Sequence, residues 1–215
     1  MPSSSYRVIA IDGPAASGKS SVARELARWL EFAYVNSGAM YRAVTWHVLQ
    51  CKIAPNDCDA IAHLVESAAI VCDLVNGESR ILIEDQDPSE FLRDDQVSRS
   101  VALMSSVTKV REILVARMRA YAEERDAVME GRDIGSVVFP ETPYKFYIDA
   151  SPDVRLRRRT AQGQRDQIAA RDRADYSRRN SPRTNAEDAL VIATFNLNIT
   201  GLFGAIIGPV EQEGQ

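Results

Sequence analysis

The sequence predicts an α/β protein in three layers, with a mostly parallel central sheet and helices on both faces. Short β-branched segments alternate with longer amphipathic segments along most of the chain. Such alternation is typical of parallel strands whose crossover helices cover the sheet. The length of 215 residues suits one hydrophobic core with room for small inserted lobes. We therefore expect a single domain, 1–215.

The first elements along the chain are a strand, a helix and a second strand. Tyr6–Asp12 is apolar and β-branched, and Gly13-Pro14 closes it, so it is expected to be a buried strand. Ser20–Leu30 has apolar residues at helical spacing, and Phe32–Val35 is short enough for the next strand. This order predicts a parallel strand pair with a right-handed crossover.

The middle of the chain is expected to hold four helices and a hairpin. Asn76-Gly77 is a strong hairpin dipeptide between two strand segments, so a small inserted β element is expected there. Thr108 is a plausible cap for the expected helix that follows it, 109–124. The expected helices cover residues 38–49, 57–68, 95–106 and 109–124, and the hairpin strands cover 70–75 and 80–84.

The last third of the chain is expected to add strands and one long helix. Ala127–Glu130 and Tyr144–Asp149 have the pattern of strands, and the loop Gly131–Gly135 separates them. Arg155–Arg179 is expected to be mostly helical, and Leu190–Thr194 is expected to be a last short strand.

Composition and charge exclude several classes of protein. Hydrophobic residues make up 45% and charged residues 26%, which is typical of a globular chain. No apolar run approaches the roughly 20 residues that span a bilayer, and the N-terminus lacks a signal-peptide pattern. We therefore expect a cytoplasmic protein with no membrane partner.

The cysteines and histidines show no pattern of a disulfide or metal site. Three cysteines without a CxxC pair predict reduced thiols, and two histidines far apart in the sequence predict no zinc site.

The motif that carries the chemistry is Gly-Pro-Ala-Ala-Ser-Gly-Lys-Ser, which fits the phosphate-binding P-loop pattern GxxxxGK[ST] at every fixed position. It stands between an expected strand and an expected helix, as the motif requires. Backbone N–H groups and the helix N-terminus suit phosphate oxygens. We expect Lys19 to reach the β- and γ-phosphates of ATP, and Ser20 to contact Mg²⁺, partly through water. The predicted ATP-binding residues are Gly13, Pro14, Ala15, Ala16, Ser17, Gly18, Lys19, Ser20 and Ser21.

Two further segments follow expected strands, at the edge where open α/β sheets bind ligands. They are Asn36–Arg42 and Gly131–Gly135. Arg42 and Arg132 are expected to converge on one anion beside the γ-phosphate, because a guanidinium fork suits a phosphate. The alternative is that both are ordinary surface arginines.

An arginine-rich stretch runs from Arg155 to Arg183, with ten arginines, no lysine and three acids. It fits a lid that closes over a transferring phosphoryl group. RNA binding is the rival explanation, and a solvated helix face is another. The stretch has one aromatic residue, Tyr176, and the whole chain has a net charge of −4. Both features speak against a nucleic-acid partner.

Four segments together carry a family resemblance: Ile11–Pro14, Ser37–Arg42, Gly131–Pro140 and Arg171–Arg178. In this order they resemble the bacterial cytidylate kinases, which are P-loop nucleoside-monophosphate kinases. The resemblance implies a P-loop NTPase fold with an inserted NMP-binding lobe at about 38–108 and a short Arg-rich lid at about 155–182. It also implies Mg²⁺ with ATP as donor, CMP or dCMP as acceptor, and a monomer.

The resemblance also implies roles for single residues. Arg42 and Arg132 would hold the CMP phosphate, whereas Arg111 and Asp133 would read cytosine. Asp133 would accept from the cytosine amino group, where uracil has a carbonyl. Asn36 stands where the family usually has an acid. The implied CMP-binding residues are Ser37, Arg42, Arg111, Arg132, Asp133, Arg171, Asp175 and Arg178, and the implied catalytic residues are Lys19, Arg132, Arg158 and Arg178.

Two alternatives stay open from the sequence. The first is another small P-loop kinase, acting on UMP, AMP or a metabolite hydroxyl. The second is a non-catalytic nucleotide- or RNA-binding protein that uses the arginine-rich stretch. A panel of acceptor nucleotides separates the first, and a salt titration of RNA binding separates the second.

Overall fold

The computed structural model describes residues 6–161, 186, 188–193 and 206. The elements alternate along the chain as the sequence predicts. In order they are β1 (Val8–Asp12), α1 (Lys19–Leu30), β2 (Ala33–Asn36), α2 (Ser37–Gln50), α3 (Cys58–Ser67), β3 (Ile70–Val75), β4 (Glu78–Ile83), α4 (Asp95–Met104), α5 (Thr108–Glu124), β5 (Ala127–Gly131), a π-helical turn (Ile134–Val138), β6 (Tyr144–Asp149), α6 (Pro152–Ala161) and β7 (Leu190–Ala193).

Within the described residues, seven strands form one sheet in the order β3-β4-β2-β5-β1-β6-β7. Neighbouring strands are parallel except β3 and β4, which are antiparallel. The predicted α/β class with a mostly parallel sheet is confirmed. The expected direct pairing of the first two strands is wrong, because β5 lies between β1 and β2 and pairs with both.

Hydrophobic clusters cover both faces of the sheet. Side chains alternate along β1, so Ile9 and Ile11 enter one cluster and Ala10 enters the other. Helix α1 packs against the first face, where Leu26 is completely buried. The second cluster joins α2, α3 and α5 to the opposite face, where Leu114 is completely buried. Burial of each such side chain stabilises the fold by about 2 kcal/mol.

The predicted hairpin is formed by β3 and β4. Asn76 and Gly77 both have positive φ, at 53° and 79°, as a tight two-residue hairpin turn requires. The hairpin is not separate from the sheet, because Tyr34 of β2 pairs with Glu78 of β4. It therefore extends the central sheet. The boundaries of an NMP-binding lobe, 38–108, stay a prediction.

Three local expectations differ from the structure. The Thr108 cap is wrong, since α5 begins at Thr108 and its N-cap residue, Val107, makes no side-chain capping bond. The segment after β5, expected to be a loop, continues into the π-helical turn. Helix α6 begins at Pro152, a residue suited to a first helical position. The rest of the expected helix and lid, from residue 162 to 182, lies outside the described residues. No described helix is long and apolar enough to cross a membrane.

Candidate active site

The phosphate-binding motif connects β1 to α1, as predicted, through a backbone that needs glycine. Gly13 has φ 154°, and a Cβ atom there would lie 2.2 Å from the backbone oxygen of Ile148 in β6. Gly18 has φ 101° and directly precedes α1. Gly18 makes no side-chain capping bond to α1, and a helix N-terminus of this kind favours a bound anion. The local geometry therefore matches the chemistry expected of the motif.

Glu130, at the end of β5, is the centre of the polar contacts beside this motif. Its carboxylate accepts hydrogen bonds from Ser20 Oγ at 2.8 Å and from Tyr34 Oη at 2.6 Å. Lys19 Nζ lies 4.0 Å from the same carboxylate and donates to the backbone oxygen of Pro14 at 3.2 Å. Glu130 is only 2% exposed. A hydroxyl and a carboxylate oxygen side by side are ligands that suit Mg²⁺.

Sequence reasoning missed Glu130 and counted it only as part of a strand. The signal that marks it is an acid within the otherwise apolar, fully buried strand Ala-Val-Met-Glu-Gly. A buried carboxylate needs partners, and here they come from distant parts of the chain. An acid at the end of a buried strand that neighbours a phosphate-binding strand is therefore a candidate functional residue.

Tyr34 and Asn36 extend the Glu130 contacts along β2. Burial first, and then the Glu130 carboxylate, raise the pKa of Tyr34 well above its ordinary value, so the phenol remains a donor. Asn36 Nδ2 donates to Tyr34 Oη at 3.2 Å, while its Oδ1 caps α2 by accepting from Ala39 N at 2.9 Å. Asn36 thus caps α2 and also donates to the tyrosine that holds Glu130.

The two residues predicted to read the base are in direct contact. Arg111 Nη2 of α5 donates to Asp133 Oδ2 at 2.5 Å, and the two residues are 7% and 8% exposed. Burial opposes the charge of Arg111, but Tyr41 and Asp133 outweigh it and raise the pKa of the guanidinium. Arg111 Nη1 is buried and has no hydrogen-bond partner among the described residues. This N–H group is thus a buried donor whose hydrogen bond is not made within the described residues.

Asp12, the last residue of β1, joins the phosphate-binding strand to the segment after β5. Its Oδ1 accepts from Ile134 N at 2.9 Å and its Oδ2 accepts from Gly135 N at 2.8 Å. Burial raises the pKa of Asp12 to about 6, although these two N–H groups act in the opposite direction. Sequence reasoning gave Asp12 no individual role.

The other predicted CMP-binding residues lie on neighbouring elements. Ser37 Oγ donates to the backbone oxygen of Glu130 at 2.7 Å. A Cβ atom at Gly131 would lie 2.6 Å from Ser37 Oγ, so this approach requires glycine. Arg42 Nη1 donates to Leu92 O at 2.8 Å and to Ser98 Oγ at 3.0 Å. Arg132 follows the end of β5. Convergence of Arg42 and Arg132 on one phosphate stays a prediction.

Helix α6 contacts the phosphate-binding loop through its arginines. Arg158 Nη1 donates to the backbone oxygens of Ala16 at 3.3 Å and Ser17 at 2.8 Å. Arg155 is buried and donates to Ala150 O at 3.1 Å. The structure thus places Arg158 beside the P-loop, and its role in a lid stays a prediction. The other predicted residues of this region, Arg171, Asp175 and Arg178, lie outside the described residues.

Comparison with known proteins identifies the family. A family model described as cytidylate kinase matches residues 9–212. The chain belongs to the cytidylate kinase family. A protein named cytidylate kinase from Caldanaerobacter subterraneus subsp. tengcongensis is 40% identical over 88% of each chain. Its counterpart from Halalkalibacterium halodurans is 35% identical over 95% of this chain and 97% of its own. The one from Rhodococcus opacus is 39% identical over 95% of each chain. The resemblance to cytidylate kinases is confirmed.

Proposed function

We propose that this protein transfers the γ-phosphoryl group of Mg-ATP to CMP or dCMP, giving CDP or dCDP and ADP. The observation that carries the proposal is the direct pairing of β1 with β5, in which Asp12 lies opposite Gly131. The P-loop follows β1, and Arg132 and Asp133 follow β5. The phosphate-binding loop and two candidate acceptor-binding residues therefore leave the same sheet edge side by side.

Ser20 and Glu130 are the residues that would hold Mg²⁺, directly or through water. The 2.8 Å hydrogen bond between them leaves the hydroxyl lone pairs of Ser20 for the ion. When bound, the ion offsets the negative charge that gathers on the phosphates. The buried Lys19 ammonium adds positive charge beside the same carboxylate.

The acceptor group is itself a phosphate with anionic oxygens, so this transfer needs no general base. Catalysis then consists of positioning and charge neutralisation. Lys19 and the N–H groups of the P-loop bind the donor phosphates. Arg42 and Arg132 hold the acceptor phosphate, and Arg158 and Arg178 supply further positive charge near the transferring group. Ser37, Arg171 and Asp175 complete the acceptor site.

Cytosine selection rests on the Arg111–Asp133 pair. Asp133 would accept from the exocyclic amino group of cytosine, and Arg111, which already donates to Asp133 through Nη2, would offer its second amino group, Nη1, to the base. Uracil presents a carbonyl where cytosine has this amino group, and a carboxylate repels it. The buried ion pair therefore favours CMP and dCMP over UMP.

The proposals for the oligomeric state, the cellular location and the partners are supported by the family resemblance alone. We propose a monomer that acts in the cytoplasm on small nucleotides and has no nucleic-acid partner. Light scattering after size exclusion tests the monomer.

The reaction itself is tested by identifying its products. Purified protein is incubated with Mg-ATP and CMP and followed by ³¹P NMR. The proposal predicts growth of ADP and CDP resonances together, in equal amounts, and no reaction when CMP is left out. Release of inorganic phosphate without CDP would contradict phosphoryl transfer to CMP. Tight RNA binding without CDP formation would instead support the non-catalytic alternative.

A further inference from the structure

The π-helical turn that follows Asp133 is held at both of its ends. At its beginning, the two carboxylate oxygens of Asp12 accept from the backbone N–H groups of Ile134 and Gly135 at 2.9 and 2.8 Å. At its end, Arg119 of α5 donates from Nε to Val138 O at 2.9 Å and from Nη2 to Val137 O at 3.1 Å. A carboxylate at the N–H end and a guanidinium cation at the carbonyl end match the dipole of a helical turn.

This turn fixes the backbone that presents the candidate base-reading residue. Asp133 is the residue directly before the turn, and the N–H groups of Val137 and Val138 bond to its backbone oxygen. Asp12 directly precedes the P-loop, and Arg119 lies two helical turns beyond Arg111 in α5. We call the Asp12 and Arg119 contacts with this turn the clamp. The clamp connects the strand before the P-loop, the segment that carries Asp133, and helix α5, which carries Arg111.

We propose that Asp12 and Arg119 are positioning residues of the acceptor site, which hold Arg132 and Asp133 in the orientation that binds CMP. This inference rests on the proposed function. Neither residue touches the nucleotide in this account, and both act through the backbone of the turn. Loss of either is expected to weaken acceptor binding and base discrimination more than donor binding.

The surroundings of Asp12 determine its ionisation state, and so its capacity to accept both backbone N–H groups. Burial disfavours the ionised form, Asp133 disfavours it further, and Lys19 favours it. Since the pKa of Asp12 is about 6, the carboxylate is ionised at pH 7 and accepts both N–H groups. An Asn at this position keeps the size and one acceptor oxygen, but its amide N–H₂ faces the second backbone N–H. The buried charge is removed and one anchor of the turn is lost.

The test compares Asp12→Asn and Arg119→Met with wild type in steady-state kinetics. We expect the KM for CMP to rise about tenfold or more in Asp12→Asn, and the preference for CMP over UMP to fall, because one of two anchoring hydrogen bonds is lost. The KM for ATP should change by less than about threefold. Arg119 is exposed, so its replacement is expected to fold, with the same pattern of changes.

The matched control is Asp126→Asn. This carboxylate also accepts a backbone N–H, from Arg7 at 2.6 Å, but it lies at the opposite end of β5. Its KM values should equal those of wild type. Unchanged KM for CMP in both clamp variants, or equal rises in both KM values, would overturn the positioning proposal. If wild type itself fails to phosphorylate CMP, the proposed function fails, and this inference fails with it.

Discussion

The phenolic hydroxyl of Tyr34 in strand β2 donates a hydrogen bond of 2.6 Å to the carboxylate of Glu130 in the neighbouring strand β5. The other oxygen of the same carboxylate accepts from Ser20 of the P-loop. The tyrosine thus orients an acid that in turn orients the hydroxyl expected to contact Mg²⁺. These two hydrogen bonds connect β2 and β5 to helix α1.

Replacing Tyr34 by Phe removes one donor from a buried carboxylate. We expect the free energy of unfolding to fall by about 1–3 kcal/mol, and the Mg²⁺ concentration for half-maximal activity to rise. Urea denaturation and a Mg²⁺ titration at fixed ATP measure the two effects. The control is Tyr121→Phe, because the Tyr121 hydroxyl bonds to Asp73 O, away from the P-loop. An unchanged Mg²⁺ requirement in the Tyr34 variant would contradict the orienting role.

Changing Glu130 to Gln keeps its shape and removes its charge. We expect kcat to fall at least about 100-fold while the protein stays folded, because a charge placed beside the reacting phosphates is lost. Stopped assays at several Mg²⁺ concentrations measure the change. Glu78→Gln, which alters a half-exposed acid paired with Arg24, should behave like wild type. Near-normal kcat in the Glu130 variant would remove this residue from the metal site.

Asp133→Asn tests the proposed reading of the base. Its amide can present either an acceptor oxygen to cytosine or a donor N–H₂ to uracil. The ratio of kcat/KM for CMP to that for UMP should therefore fall about tenfold or more. The exposed Asp59→Asn on α3 serves as control. If the ratio stays at its wild-type value, the base is read by other residues.

The raised pKa of Asp12 predicts that the free energy of unfolding falls as pH rises. Its folded pKa of about 6 lies above the ordinary value of 3.8, so its contribution is fully present below about pH 4. This contribution is lost as pH rises through about 6. The difference between the two pKa values corresponds to about 3 kcal/mol in the free energy of unfolding. The free energy of unfolding of wild type minus that of Asp12→Asn should fall by about this amount between pH 4 and pH 7. Urea titrations across this range measure it. A difference that is constant or rises with pH would contradict the raised pKa.

The sequence was sufficient where function depends on local pattern. The P-loop lies between its strand and helix because glycines and small residues specify that turn within a few positions. Arg111 and Asp133 were assigned to the base only through the family resemblance, and their contact with each other, which joins residues 22 positions apart, was not predicted. Asn76-Gly77 predicted its hairpin correctly because two residues determine such a turn.

The sequence was insufficient where contacts join distant segments. Glu130 bonds to Ser20 and Tyr34 across 110 and 96 residues, and no local pattern reports such pairs. The insertion of β5 between β1 and β2 likewise depends on long-range packing. The prediction that Thr108 caps α5 was wrong by one residue. Local sequence determines the ends of a helix less well than its interior.

The most direct test of the account is kcat/KM of the wild-type protein for CMP, dCMP, UMP and AMP at saturating Mg-ATP. The Arg111–Asp133 pair predicts that CMP and dCMP exceed UMP and AMP by at least about 100-fold, because a site built for one hydrogen-bond pattern rejects the wrong one. Comparable values for all four nucleotides would contradict cytosine recognition by this pair, and ADP release that no acceptor stimulates would contradict the kinase itself.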